Sequence, residues 1–264
     1  MAPERKKDFI SVVIPCYNAS RYIEDCLNGL IKQTYRQFEA IIVDDGSGDG
    51  SEEAVKRWMN EHSPFFPIVY LKLPRNVGFA GALTVGYFLS QGEYIAVHDA
   101  DDISHPERFE KQLSFLHRHP HIALIGTNYA AFPDGHFDRK TPANWLAYGR
   151  DIRRVYAEGK HCICHGTIMF RGAVFDQLGG PTRRIRGAED YEFIVKCLNA
   201  KLEVENLPDI LYYYRSHPQQ RSRQFYKKGA FPLGAFPGLD QKKPSWYDAG
   251  VSNNTYHHAK EDFR

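Results

Sequence analysis

Long apolar stretches are absent from this 264-residue chain: runs such as 11–15 and 40–43 fall far short of the roughly 20 residues a bilayer span needs. That excludes a transmembrane bundle. The first eight residues are charged and no signal-type apolar segment follows them, so a cytoplasmic protein is expected. Cysteine is scarce, with five residues at Cys16, Cys26, Cys162, Cys164 and Cys197. An odd, scattered set fits reduced thiols better than a disulfide framework. No excess of one charge is present either, since 34 Lys and Arg offset 32 Asp and Glu. That balance gives no basis for a dedicated nucleic-acid binder. What remains is an ordinary soluble composition, 42% hydrophobic and 25% charged, ample for a real core.

The first half alternates short apolar runs at 10–15, 38–44 and 68–73 with helical periodicity over 22–33, 51–61 and 78–90. This pattern predicts βαβ units and an α/β fold with a mostly parallel sheet flanked by helices. A fourth strand over 94–98 runs into Asp99, Asp101 and Asp102, and Pro106 opens a helix to about 119. A fifth strand follows at 123–127, then a mixed stretch, 129–160, read as loops and a short helix. The second half resumes with a strand at 167–170, helices at 172–178 and 188–200, and two strands near 202–206 and 211–214. Beyond His217 periodicity fades, and 218–264 is expected to be an extended or poorly packed tail.

In an open parallel sheet ligands bind beyond the carboxyl ends of the strands, and three of these ends are unusually polar. They read Pro15-Cys16-Tyr17-Asn18, Asp44-Asp45-Gly46-Ser47 and Asp99-Ala100-Asp101-Asp102. Turns and helix caps explain each alone. Three carboxylates within four residues repel one another, however, and a divalent cation such as Mg²⁺ or Mn²⁺ would relieve that. A calcium loop starting at Asp45 fails because its twelfth position is Lys56. A dinucleotide fingerprint at Gly46 fails on spacing and on its two acids, which suit the donors of a base or ribose instead. Glu189 and Asp190 open a helix, where they cap it or supply a general base. Arg183, Arg184 and Arg186 nearby form an anion-binding or merely solvated loop. In the run from His161 to His165, a strand would turn the two cysteines and the two histidines to opposite sides, against a single metal site.

Taken in order, Ser11 to Asn18, Asp44 to Ser47, Arg75 to Gly78, Asp99 to Asp102 and Glu189-Asp190 resemble glycosyltransferase family two over about 8–217. The resemblance implies a GT-A fold, with a nucleotide-binding half over about 8–127 and an acceptor and catalytic-base half over 128–217. It implies inverting transfer from a nucleoside-diphosphate sugar to a glycan or lipid-linked acceptor. Carried over, Pro15, Tyr17, Asn18, Asn76 and Gly78 line the nucleotide site, and Asp45, or else Asp44, binds the base. Asp99 lies near the ribose and sugar, Asp101 holds Mn²⁺ or Mg²⁺, and Asp190 is the base. His217 is a metal or phosphate contact, and His165 and Glu189 lie on the acceptor side. Two acids favour uracil, through its N3–H, and hence a UDP-sugar. Lys227-Lys228 and Lys242-Lys243 are candidates for peripheral membrane contact. A nucleotidyltransferase would instead carry a Gly-rich basic loop after the first strand, and a non-catalytic sugar-nucleotide-binding scaffold would not need both Asp101 and Asp190.

Overall fold

The computed structural model describes residues 4–182 and 187–225. The three arginines at 183, 184 and 186 and the lysine pairs at 227–228 and 242–243 lie outside them. Four parallel strands form the first half of a single sheet: β1 (Lys6–Cys16), β2 (Phe38–Asp44), β3 (Ile68–Lys72) and β4 (Gly92–Val97), in the spatial order 3-2-1-4. Their crossovers are α1 (Ile23–Ile31), α2 (Ser51–His62) and α3 (Phe79–Leu89).

Side chains alternate across β1, so Val12 and Ile14 pack under α1, α2 and, further along the chain, α4 (Arg108–Arg118). Val13 faces the other layer. There α3 approaches so closely that a Cβ on Gly86 would lie 2.3 Å from Val13 Cγ1. Trp58, Phe109 and Tyr87 are fully buried in these layers, each contributing on the order of 1.5–3 kcal/mol. The core is thus two apolar sheaths on one sheet.

Beyond β4 the pattern changes. β6 (Ile122–Pro133), β8 (Met169–Arg171) and β9 (Glu203–Ser216) extend the sheet in the order 4-8-6-9, closed by the short β5 (Ile103–Ser104) and with β7 (Thr141–Pro142) beside β6. Four pairings are parallel and four antiparallel, so "mostly parallel" holds for the first half and not for the whole. Residues 129–160 hold the end of β6, β7 and α5 (Arg150–Ala157). The two strands expected at 202–206 and 211–214 are one. Leu207 pairs with Thr127 and Ile210 with Asn128, so Pro208 and Asp209 bulge into solvent without breaking β9. α6 (Gly172–Leu178) and α7 (Glu189–Asn199) fall where the periodicity placed them.

Past residue 217 only 218–225 are described, and residues 218, 219, 221 and 223 are exposed. Gln220 is buried, receiving the His217 amide N–H and donating to the Arg215 carbonyl, and α8 (Arg221–Phe225) follows.

Candidate active site

The carboxyl ends of β1, β2 and β4 lie on one edge of the sheet, and β8 runs antiparallel to β4, which brings the 3-10 turn His165–Thr167 to the same edge. β9 rises beside β6 and delivers Tyr212, Arg215 and then His217 there.

On the donor side the carboxylates are occupied. Asp44, fully buried, accepts the Ser47 amide at 2.7 Å and the Tyr70 hydroxyl. Asp45 accepts the Val77 and Gly78 amides at 2.6 and 2.9 Å, tying the loop after β3 to the end of β2. Gly46 lets the two loops meet: at φ +77° a Cβ would lie 3.0 Å from Arg75 and Asn76 backbone atoms. Asn18 accepts the Gly48 amide and Asn76 the Gly78 amide, so these two side chains shape turns. Pro15 is buried in β1, whereas Tyr17 is 55% exposed at the rim, its ring available to a ligand.

The acidic run after β4 differs. Asp101 is partly exposed, and its Oδ2 stands 2.9 Å from His217 Nε2. His217 is buried, its ring tilted against Tyr22 at 4.4 Å between ring centroids. Desolvation, reinforced by Asp101, pushes the Asp99 carboxyl upward, and fully buried Asp102 is pushed well up by the same causes. Asp102 Oδ1 accepts the Arg215 amide at 2.7 Å. The Arg215 guanidinium holds the loop through the Asp101 carbonyl at 2.8 Å, Asp134 at 2.9 Å and Asp25 at 2.6 Å. Below it, buried Arg108 donates to the Val97 carbonyl at 2.8 Å and faces the Tyr212 ring. The Tyr212 hydroxyl accepts the Asp99 amide at 3.0 Å. Burial and Arg108 push His98 down to about 3, so its neutral ring donates from Nδ1 to the Asp99 carbonyl at 2.8 Å.

Across the cleft, Asp190 stands at the start of α7. One carboxylate oxygen accepts the Tyr191 amide at 2.7 Å, and the other lies 3.4 Å from His161 Nε2. Burial alone would raise its pKa, but His161 overcomes this and holds the carboxyl well below the usual range. His165 packs edge-on against Phe79, and burial pushes it down to about 4. Both its ring nitrogens are enclosed and make no hydrogen bond to protein. Glu189, expected on the acceptor side, turns inward instead: it accepts the Gly187 amide at 3.0 Å and pairs with Arg221, anchoring α8 to α7. The His161–His165 run is not a strand, and its histidines serve different neighbours. A Cβ on Gly166 would lie 2.7 Å from Asp99 Oδ2, so only glycine leaves that carboxylate its place.

Among the described residues no group of three His, Cys, Asp or Glu is placed to hold a metal alone. The Asp101–His217 pair still fits a divalent cation that takes its other ligands from a bound diphosphate. A hard oxygen and an imidazole nitrogen converge, and His217 Nδ1 is a further buried atom without a partner. Arg215, Arg108 and His161 were missed as site residues from sequence. Only the position of Arg215 two residues before His217 offered a signal.

Residues 11–179 match the family model described as glycosyl transferase family 2. The amylovoran biosynthesis glycosyltransferase AmsE of Erwinia amylovora is 32% identical over 209 residues, covering 78% of this chain and 76% of AmsE. S. aureus TarS 1-349, solved in complex with UDP-GlcNAc, superposes with a TM-score of 0.65 at 20% identity, over 84% of this chain and 62% of that one. The mannosyltransferase PcManGT from Pyrobaculum calidifontis, solved with GDP-Man and Mn²⁺, gives a TM-score of 0.64 at 21% identity, over 81% and 59%. The chain thus spans about six tenths of these solved chains. It belongs to glycosyl transferase family 2, with the GT-A fold, and is a glycosyltransferase. No helix among the described residues is long and apolar enough to cross a membrane.

Proposed function

We propose that the protein moves a sugar from a nucleoside-diphosphate sugar, a UDP-sugar first, to a hydroxyl of a glycan or lipid-linked acceptor, with inversion at the anomeric carbon. The observation that carries this reading is the convergence on Asp99: the Asp101 carboxylate, paired with His217, and the Asp190 carboxylate both act on its ionisation from the same sheet edge. A carboxylate–imidazole pair suited to a metal and a separate carboxylate thus both lie close to Asp99. UDP-GlcNAc in TarS and GDP-Man with Mn²⁺ in PcManGT support a nucleotide-sugar donor and a cation in this fold.

The base of the nucleotide is received by Tyr17 and the Asp45 loop, and Asp99 faces the ribose and sugar. Asp190 takes the proton of the acceptor hydroxyl as that oxygen bonds to the anomeric carbon and the bond to the diphosphate oxygen breaks. A single displacement from the opposite face inverts the configuration. Asp101 and His217 would hold Mn²⁺ or Mg²⁺, which when bound neutralises charge on the departing diphosphate. Arg215 holds the Asp101 loop in place for that purpose.

Asp190→Asn should lower turnover by about 10²–10⁴-fold while nucleotide binding stays within a few-fold. Unchanged turnover would remove Asp190 from the role. Calorimetric titration with UDP, GDP and dTDP, each with Mn²⁺ and with chelator, tests the donor class. Binding of none of them, or binding indifferent to chelator, would overturn the donor or the cation assignment.

A further inference from the structure

His161 belongs to none of the roles assigned above, yet it is buried beside the base and has a second partner behind it. Its Nδ1 lies 2.5 Å from the Tyr156 hydroxyl, and its Nε2 lies 3.4 Å from Asp190 Oδ2. Tyr156, on α5, is buried and its carbonyl accepts the Tyr191 hydroxyl at 3.3 Å, joining α5 to the first turn of α7. Trp145 covers the imidazole at 5.7 Å between ring centroids. Burial, with Cys162 and Asp190 nearby, holds the Tyr156 phenol protonated, and its hydroxyl meets Nδ1 on the side of the ring away from the carboxylate. The ionised Asp190 carboxylate only accepts, so Nε2 carries a hydrogen on the side facing it.

We propose that His161 is a positioning residue for Asp190, its ring held from behind by Tyr156, and that it keeps the buried carboxylate ionised and oriented so that sugar transfer persists into acidic solution. This rests on the reading of Asp190 as the base. The groups bearing on Asp190 are His161 and His165 from the 161–165 segment, Tyr156 from α5, Cys164, and Asp99 across the cleft. Of these, His161 is the largest that favours the ionised form, and burial opposes it. The proton leaving the acceptor hydroxyl ends on Asp190 and passes from there to solvent; His161 keeps its own throughout. The cost is a weaker base, the gain a base that stays available where an unpaired buried carboxyl would be protonated.

The test is the pH profile of kcat/KM for the wild-type chain, His161→Gln, His161→Leu and Tyr156→Phe, with melting curves and UDP binding as checks on folding. His161→Leu should move the acid limb upward by about 1–3 pH units, the range set by losing an adjacent opposite charge. His161→Gln, which keeps an N–H without the imidazole, should move it less, and Tyr156→Phe less again. If folded His161→Gln and His161→Leu lose activity equally at every pH, with the acid limb unmoved, the proposal is overturned and His161 is a packing residue. If His161→Leu does not fold, His161→Gln decides alone on the same criterion. Failure of the base reading itself shows separately, as retained turnover in Asp190→Asn.

Discussion

The edge of the sheet carries two acidic clusters with opposite habits. Asp44 and Asp45 spend both carboxylate oxygens on amides and a phenol of their own loops, whereas Asp99, Asp101 and Asp102 crowd together with fewer donors than acceptor sites. Arg108 and Arg215 sit below and beside the second cluster but offset it only in part, since Asp99 and Asp102 are still pushed upward. Paired carboxylates fix a shape, and crowded ones store a demand for positive charge. On the proposed reading the first cluster would build the wall that receives a base, and the second would be completed by what it binds.

Removing the demand gives the largest effect. Asp101→Ala should cost at least about 100-fold in turnover and erase the dependence of nucleotide binding on Mn²⁺, measured by calorimetry with and without chelator. Equal cation dependence in the variant would show that the second cluster does not hold the metal. Breaking the wall comes next. Asp45→Ala removes two charge-assisted hydrogen bonds, so stability should fall by about 1.5–3 kcal/mol in urea unfolding and the KM for donor should rise. A variant with normal stability and normal KM would mean that the loop after β3 holds itself. The smallest effect sharpens the contrast. A carboxyl raised on folding adds stability in its protonated form, and this is lost as pH rises through its folded-state pKa. Asp102→Asn cannot ionise, so without cation its melting temperature should exceed the wild type's by a few degrees at pH 8 and come close to it only near pH 4, the ordinary value for this carboxyl. A constant difference at both pH values would contradict the crowding argument.

The first cluster and the strands feeding it were the more legible part of the sequence. β2 and α6 fall on the expected bounds because strict burial of 38–44 and the Gly179 stop leave no alternative. Each polar strand end was visible, and the family resemblance singled out Asp101 and His217 separately, the first as a metal holder and the second as a metal or phosphate contact. Hidden were features that depend on distant chain. Pro208 and Asp209 looked like the end of a strand because their tolerance comes from a shifted register against β6. Glu189 was expected on the acceptor side because Arg221, its partner, lies 32 residues further on. The histidine run at 161–165 was read as a strand, which argued against a single metal site, whereas the chain there is not a strand and His161 and His165 serve different neighbours.

β9 sets the timing of assembly. Arg215 and His217 leave the ribosome more than a hundred residues after the Asp99–Asp102 loop they steady, and the contacts that join them span 113 to 116 positions. Every vectorially made copy therefore passes through a stage in which the first half has its strands but its acids lack their later partners. Closure of this long loop is an entropic step slow to find. A chain interrupted before residue 215 would keep its wall and lose its grip.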